Sequence, residues 1–327
     1  MTNPSKIFYE RIKPNVDRTR AFVVADVTNM SAFLLDGAQS LVNKRLKKNN
    51  VPVLGELIPW MLSDLFELEP VQVQDIATAW LKVYLYTCLI DDLLDEEARF
   101  SPEEILTSSL LFQEGSAALF NVVRDTKYET LLKKSFYLSA EGELQDLSQQ
   151  QDIAANKSST SIKKNYVLLS CAAALAARAD KRGNAIVEFS EAILLGLQYL
   201  DDIADWEQDF ENGNYTKLLS QGIDFETELT TTPSRKRMLS SLVETGALSD
   251  LLFETSSILE KAILIALPHR LDNSSAGGIY LVSLYDSVMA AVDVVKEARR
   301  NLRLPGCETN CLLDQVESAL QKIAQSS

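Results

Sequence analysis

The sequence predicts an all-α protein folded as one helical bundle over residues 1–327. Three observations predict it. Apolar residues recur at helical spacing almost everywhere, and no segment alternates with period two. Glycine (12) and proline (9) are scarce, and no proline falls between Pro102 and Pro233, so nothing interrupts long helices there. Hydrophobic residues make up 46% of the chain, enough to bury a large core. With no internal repeat, low-complexity tract or linker, a single domain is expected.

Taken in order, the periodicity predicts helices over 16–36, 38–48, 56–67, 72–95, 103–123, 127–150, 160–179, 183–212, 234–246, 248–267, 278–301 and 308–325. The fifth has the clearest start: Ser101 as a cap, Pro102 at the first helical position, then Glu103 and Glu104 facing the positive end of the helix dipole. Gly213 is the expected stop for the eighth. From Asn212 to Pro233 the glycines and threonines predict a loop or lid.

Composition narrows the function. A net charge of −14 argues against a nucleic-acid partner, since phosphate backbones reward basic surfaces. The start, Met-Thr-Asn-Pro-Ser-Lys, lacks a signal peptide's apolar run, and the stretch from Tyr166 to Ala177 is too short to span a bilayer. No membrane anchor and a cytoplasmic location are therefore expected. The four cysteines, Cys88, Cys171, Cys307 and Cys311, have no zinc-like spacing and read as thiols. The single histidine, His269, follows Pro268 and reads as a surface loop residue, which leaves no candidate for Ser-His-Asp or Cys-His catalysis. Neither glycine-rich nucleotide loop is present.

Two acidic clusters carry the chemistry. The first is Asp91-Asp92-Leu93-Leu94-Asp95; the second runs from Asp201-Asp202 through Asp205 to Asp209. Steps of four place Asp91 with Asp95, and Asp201 with Asp205 and Asp209, along one helix face. An acidic run is most often a solvated face. Here each cluster instead ends an apolar run, Tyr84 to Ile90 and Ala192 to Leu200. Facing stripes of carboxylates make a site for hard divalent cations, Mg²⁺ above all, bound together with substrate phosphate oxygens. The helices between them supply cations: Lys163 and Lys164 at one end, Arg178, Lys181 and Arg182 at the other. Metal-assisted departure of a diphosphate in an apolar cavity fits this set.

At these residues the chain resembles the class I isoprenoid synthases, in the trans-prenyltransferase branch. Asp91 to Asp95 resembles the first DDxxD motif, and Leu197-Gln198-Tyr199-Leu200-Asp201-Asp202-Ile203-Ala204-Asp205 the second, FQxxDDxxD. Gly142 to Leu147, with Glu143 for glutamine, resembles the GQxxDL segment, and Lys164 falls where the family has a diphosphate-contacting lysine.

The resemblance implies mostly antiparallel helices around a central pocket, three Mg²⁺ ions, an allylic prenyl diphosphate as substrate, and a homodimer. It implies Asp91, Asp92, Asp95, Asp201, Asp205 and Asp209 as metal ligands. Asp91, Asp95, Asp201 and Lys164 are the catalytic set. Lys164, Gln198, Tyr86, Asp146, Lys44 and Lys47 are the substrate-binding set, with Tyr86 in the pocket floor or as an ordinary core tyrosine.

Departures fall on the acceptor side. The family's GKxxR segment is met only by Asn43-Lys44-Arg45-Leu46-Lys47-Lys48, its histidine seven residues before the first aspartate is Tyr84, and its paired arginines are replaced by Glu96, Glu97, Ala98 and Arg99. An ordinary chain-elongating synthase is therefore not expected. The motif wording also resembles the prenyltransferase of moenomycin biosynthesis, which modifies a lipid phosphoglycerate. A prenyltransferase with an unusual acceptor is the leading expectation. A terpene cyclase with no acceptor is the alternative, and a non-catalytic subunit of a heteromeric synthase is a further one.

Overall fold

Fourteen α-helices and no strand make up the described part of a computed structural model, which covers residues 4–29, 32–43, 54–94, 99–149, 163, 165–212, 216–222, 235–270, 275–302 and 308–324. They are α1 (Pro4–Thr28), α2 (Ala32–Val42), α3 (Leu54–Leu65), α4 (Pro70–Leu94), α5 (Pro102–Val123), α6 (Glu129–Gln149), α7 (Leu168–Arg178), α8 (Gly183–Ala204), α9 (Trp206–Asn212), α10 (Lys217–Gly222), α11 (Arg235–Thr245), α12 (Ala247–Arg270), α13 (Ala276–Leu302) and α14 (Thr309–Ala324). An apolar cluster runs from Phe8 to Ile323. At its centre is α7, every residue of which from Leu168 to Ala176 is buried; α3, α4, α5, α6 and α8 all pack on it.

Prolines interrupt less than their chemistry suggests. Helix α1 begins near Pro4 and passes through Pro14, whereas the periodicity placed its start at 16; Phe8, Ile12 and Val16 are all buried, and the Phe8 ring stacks on Tyr280 at 5.2 Å. Helix α3 likewise contains Pro59 between buried Ile58 and Trp60. Helix α12 continues through Pro268, so His269 is not a surface loop residue. It is half-buried, its ring 5.1 Å from that of Phe66. In each case core contact outweighs the lost helical hydrogen bond.

The cap at Ser101 forms as expected. Its side chain accepts from the Glu104 N–H while Glu104 answers the Ser101 N–H at 2.8 Å, and Glu104 also accepts from Ser40 on α2 at 2.7 Å. Helix α13 is the one described helix long and apolar enough to cross a bilayer, a feature the sequence reading missed. Its buried face, including Leu281, Leu284, Val288 and Val295, packs in the core, with α1, α12 and α14 as neighbours. Cys88, Cys171 and Cys311 are in no disulfide; Cys307 lies outside the described residues.

Connections at one end of the bundle fix helix direction. The turn from α5 to α6 passes through Asp125 at φ +61°, and that from α7 to α8 through Asp180 at φ +47°. The two turns touch: Tyr128 Oη and Lys127 Nζ bond Asn184 Oδ1 at 3.1 and 2.6 Å. Arg182 approaches Glu67, in the turn from α3 to α4, at 4.0 Å. The start of α4, the end of α5, the start of α6, the end of α7 and the start of α8 thus share one end. The ends of α4, α6 and α8 and the start of α7 share the other.

Helices α4 and α5 meet closely at Gly115, where a Cβ would collide with the carbonyl oxygen of Ala79 and crowd Lys82 and Val83. Gly115→Val is expected to destabilise the protein by roughly 1–3 kcal/mol through overpacking, measured as a lower urea midpoint at unchanged slope.

Candidate metal and diphosphate site

The far end of the bundle gathers the sequence-predicted residues that the structure describes. Asp91 and Asp92 occupy the last turn of α4, both half-buried. Asp201 and Asp202 close α8. Glu143 lies in the last third of α6, half-buried, and Gly142 beside it is buried. Asp95, Lys164, Lys44 and Lys47 lie outside the described residues, as does the side chain of Asp146.

Side-chain bonds tie this end together. Lys163 Nζ donates to Glu141 Oε1 at 2.8 Å and to Gln145 Oε1 at 3.1 Å, joining the entry to α7 with the end of α6; the ammonium holds the Glu141 carboxyl below its ordinary value. Asn165 Nδ2 donates to Gln198 Oε1 at 2.5 Å, joining the same entry to α8. About one and a half turns before Asp91, the Tyr86 ring lies 4.6 Å from Phe112 on α5, which meets Phe136 on α6 edge-on at 5.6 Å. At 1.5 Å per residue, this aromatic stack sits roughly 7–8 Å below Asp91. Tyr86 is therefore one member of a stack that crosses three helices.

The second stripe is not one straight helix. Helix α8 stops at Ala204, Asp205 caps it at φ −101°, ψ 11°, and α9 begins at Trp206, which is buried. Burying that indole turns the chain inward. Even so, the Asp205 N–H still reaches the Asp201 carbonyl, and the Asp209 N–H the Asp205 carbonyl, both at 2.9 Å. The four-residue rhythm survives the break. Inside the segment expected to be loop, α10 forms because Leu218 and Leu219 are fully buried, a pair too short to register as periodicity.

Electrostatics distinguish the neighbouring aspartates. Asp201 is open to solvent at its surface yet crowded by protein and like charge: desolvation first, then Asp205 and Asp202, raise its carboxyl to about 6. Asp202 is 3% exposed. Its Oδ1 accepts from Gln198 Nε2 at 3.0 Å, while Oδ2 is buried with no protein donor; burial raises this group too, partly offset by Gln198 and the Lys217 N–H. The sequence reading passed over Asp202 as a site residue, and its only signal was the Asp-Asp pair. It also placed Arg178, Lys181 and Arg182 among the site's cations. They stand at or just beyond the opposite end of α7, where Arg182 approaches Glu67, so position along the helix excludes them.

Among the described residues no three carboxylate, histidine or cysteine side chains converge on one point. The donor set nonetheless fits a hard divalent cation. It is all carboxylate oxygen, and Asp201 is pushed upward first by burial and then by the like charges of Asp205 and Asp202, the part a cation would relieve.

No protein-family model and no curated protein sequence matches the chain. Solved structures do. A geranylgeranyl pyrophosphate synthetase from the archaeon Geoglobus acetivorans aligns at TM-score 0.65 and 20% identity, over 85% of this chain and 99% of that one. A polyprenyl synthase from Caulobacter crescentus CB15, complexed with calcium and isoprenyl diphosphate, aligns at 0.66 and 16%, over 86% and 96%. A decaprenyl diphosphate synthase from Rhodobacter capsulatus aligns at 0.64 and 15%, over 87% and 98%. The chain has the all-α fold of the polyprenyl and geranylgeranyl diphosphate synthases.

The raised Asp201 carboxyl has a definite sign in stability. Between its ordinary value of 3.8 and about 6, the native state keeps a proton that the unfolded chain has lost. Ionisation therefore works against folding, and this group's contribution falls as pH rises through that window. In metal-free protein, Asp201→Asn is expected to gain thermal stability relative to wild type as pH climbs from about 4 to 7. A constant difference across that range would contradict the assignment.

Proposed function

We propose that the chain is a magnesium-dependent class I isoprenoid synthase of the trans-prenyltransferase branch, acting as a single cytoplasmic domain on an allylic prenyl diphosphate. The observation that carries the reading is that the ends of α4, α6 and α8 and the entry to α7 share one end of a bundle with the prenyl synthase fold. The calcium and isoprenyl diphosphate bound to the Caulobacter structure support the same ligand classes here.

In this reading Asp91, Asp92 and Asp95 from the first cluster and Asp201, Asp205 and Asp209 from the second would hold three magnesium ions. Bound magnesium supplies Lewis-acid charge neutralisation to the departing diphosphate. Lys164 binds the diphosphate oxygens as a compact point charge. The aromatic stack of Tyr86, Phe112 and Phe136 bounds the greasy tail and limits its length. Apolar walls exclude water, which protects the allylic cation until a double bond or nucleophile captures it.

The acceptor is where this chain parts from chain-elongating synthases. The Tyr84 ring packs against Gly55, where no side chain larger than hydrogen fits, and 5.7 Å from Trp80. An aromatic wall where a cationic or imidazole group would meet a second diphosphate favours an acceptor other than isopentenyl diphosphate. It equally suits a terpene cyclase, in which the prenyl chain captures its own cation. A homodimer belongs to the same reading, with exposed Leu106 and Leu110 on α5 and Tyr137 and Leu144 on α6 as its apolar contact.

Incubation with allylic diphosphates of increasing length and Mg²⁺, with and without isopentenyl diphosphate, tests the chemistry. Diphosphate release is expected, abolished by Asp91→Ala or Asp201→Ala with helical content retained. Dependence on an added co-substrate assigns the transferase, and hydrocarbon from the allylic substrate alone assigns the cyclase. No diphosphate release under any condition overturns the enzymatic reading. Lys164→Ala is expected to raise KM for the allylic diphosphate. For assembly, light scattering should give twice the chain mass, halved by Tyr137→Glu with Leu144→Glu; an unchanged mass would discount that surface.

A further inference from the structure

Beneath the second stripe, a hydrogen-bond chain crosses from α7 to α10. Asn165, in the 3₁₀ turn that leads into α7, bonds Gln198 Oε1; Gln198 Nε2 bonds Asp202 Oδ1; and the Lys217 N–H, opening α10, is directed at the same carboxylate. One turn back on α8, Tyr199 Oη accepts from Lys217 Nζ at 2.8 Å, and Glu254 on α12 takes that ammonium on both oxygens at 2.7 Å. Residues 199 and 202, three apart on α8 and so on one face, thus grip both the side chain and the backbone of Lys217. Four helices are joined through one turn of α8, the turn that carries Asp201.

This arrangement is costly as mere structure. A carboxylate this buried, with Oδ2 lacking a hydrogen bond and only the Gln198 amide and the Lys217 N–H directed at the group, loses solvation that these donors do not fully replace. An apolar residue would fill the space without that loss. Gln198, whose two ends are engaged with Asn165 and Asp202, is built into the chain and so acts on the site through its neighbours. A buried polar group left partly unsatisfied calls for a functional explanation, and here it adjoins the end of α8 where the helix breaks toward Asp205.

We propose that Asp202 is a positioning residue: through Gln198 and Asn165 on one side and Lys217 on the other, it fixes the end of α8 against α7 and α10, so that Asp201 and Asp205 are arranged before any cation arrives. The inference rests on the metal–diphosphate reading of the site. Groups that orient metal-binding side chains typically contribute tenfold to a hundredfold to metal affinity.

The test uses inorganic pyrophosphate and MgCl₂ as probes, read by thermal unfolding with no turnover required. Wild type should gain stability on addition of both. Asp202→Asn, and Asn165→Ala, which leaves every carboxylate in place, should keep wild-type helical content by circular dichroism. Both should need about tenfold more Mg²⁺ for half the ligand-induced shift. If either variant unfolds at a lower temperature without ligand but shows the wild-type Mg²⁺ midpoint, the chain is structural only and the positioning role is overturned. If wild type itself gains nothing from Mg²⁺ and pyrophosphate, the metal–diphosphate reading fails first, and this inference falls with it.

Discussion

Like charges crowded at one end of an apolar bundle are the constraint on which the rest depends. Carboxylates repel, and a low-dielectric surrounding sharpens that repulsion. The fold answers it unevenly. Asp201 stands at the surface with its ionisation suppressed, while Asp202 is buried among amide donors. Among the described residues, two cations of this end are engaged, Lys163 with α6 and Lys217 with Glu254 and Tyr199. Such an end holds negative charge in reserve, which suits a protein that takes up hard cations and an anionic substrate together.

The remainder of the bundle keeps that end in place. Helix α7, buried from Leu168 to Ala176, is the post against which α3, α4, α5, α6 and α8 are aligned. The contacts among Glu67, Tyr128, Asn184 and Arg182 fix the opposite end. Antiparallel alternation then delivers the acidic ends of α4 and α8 to the same side. Repulsion between carboxylates is thereby balanced by apolar burial some distance away, a common division of labour between core and site.

Against solved structures the fold is clear at 15–20% identity. That reflects how helical bundles are specified. Apolar spacing and volume set the packing, and many side chains satisfy both. Tyr84 packs against Gly55 without disturbing the bundle, one instance of that tolerance.

The sequence by itself determined the all-helical class, most helix positions, the Ser101 cap and the four-residue rhythm of the second aspartate cluster, because each depends on local spacing and backbone chemistry. The tertiary structure alone decided the rest. Helices α1, α3 and α12 run through Pro14, Pro59 and Pro268 because distant core contacts outweigh a local penalty. The long eighth helix breaks at Asp205 because Trp206 turns into the core, and α10 forms on two leucines too few to show a period. Arg178, Lys181 and Arg182 stand at the wrong end because α7 separates residues that the sequence sets close together. Asp202 gains its place from Asn165, Gln198 and Lys217, partners brought to it only when the chain folds.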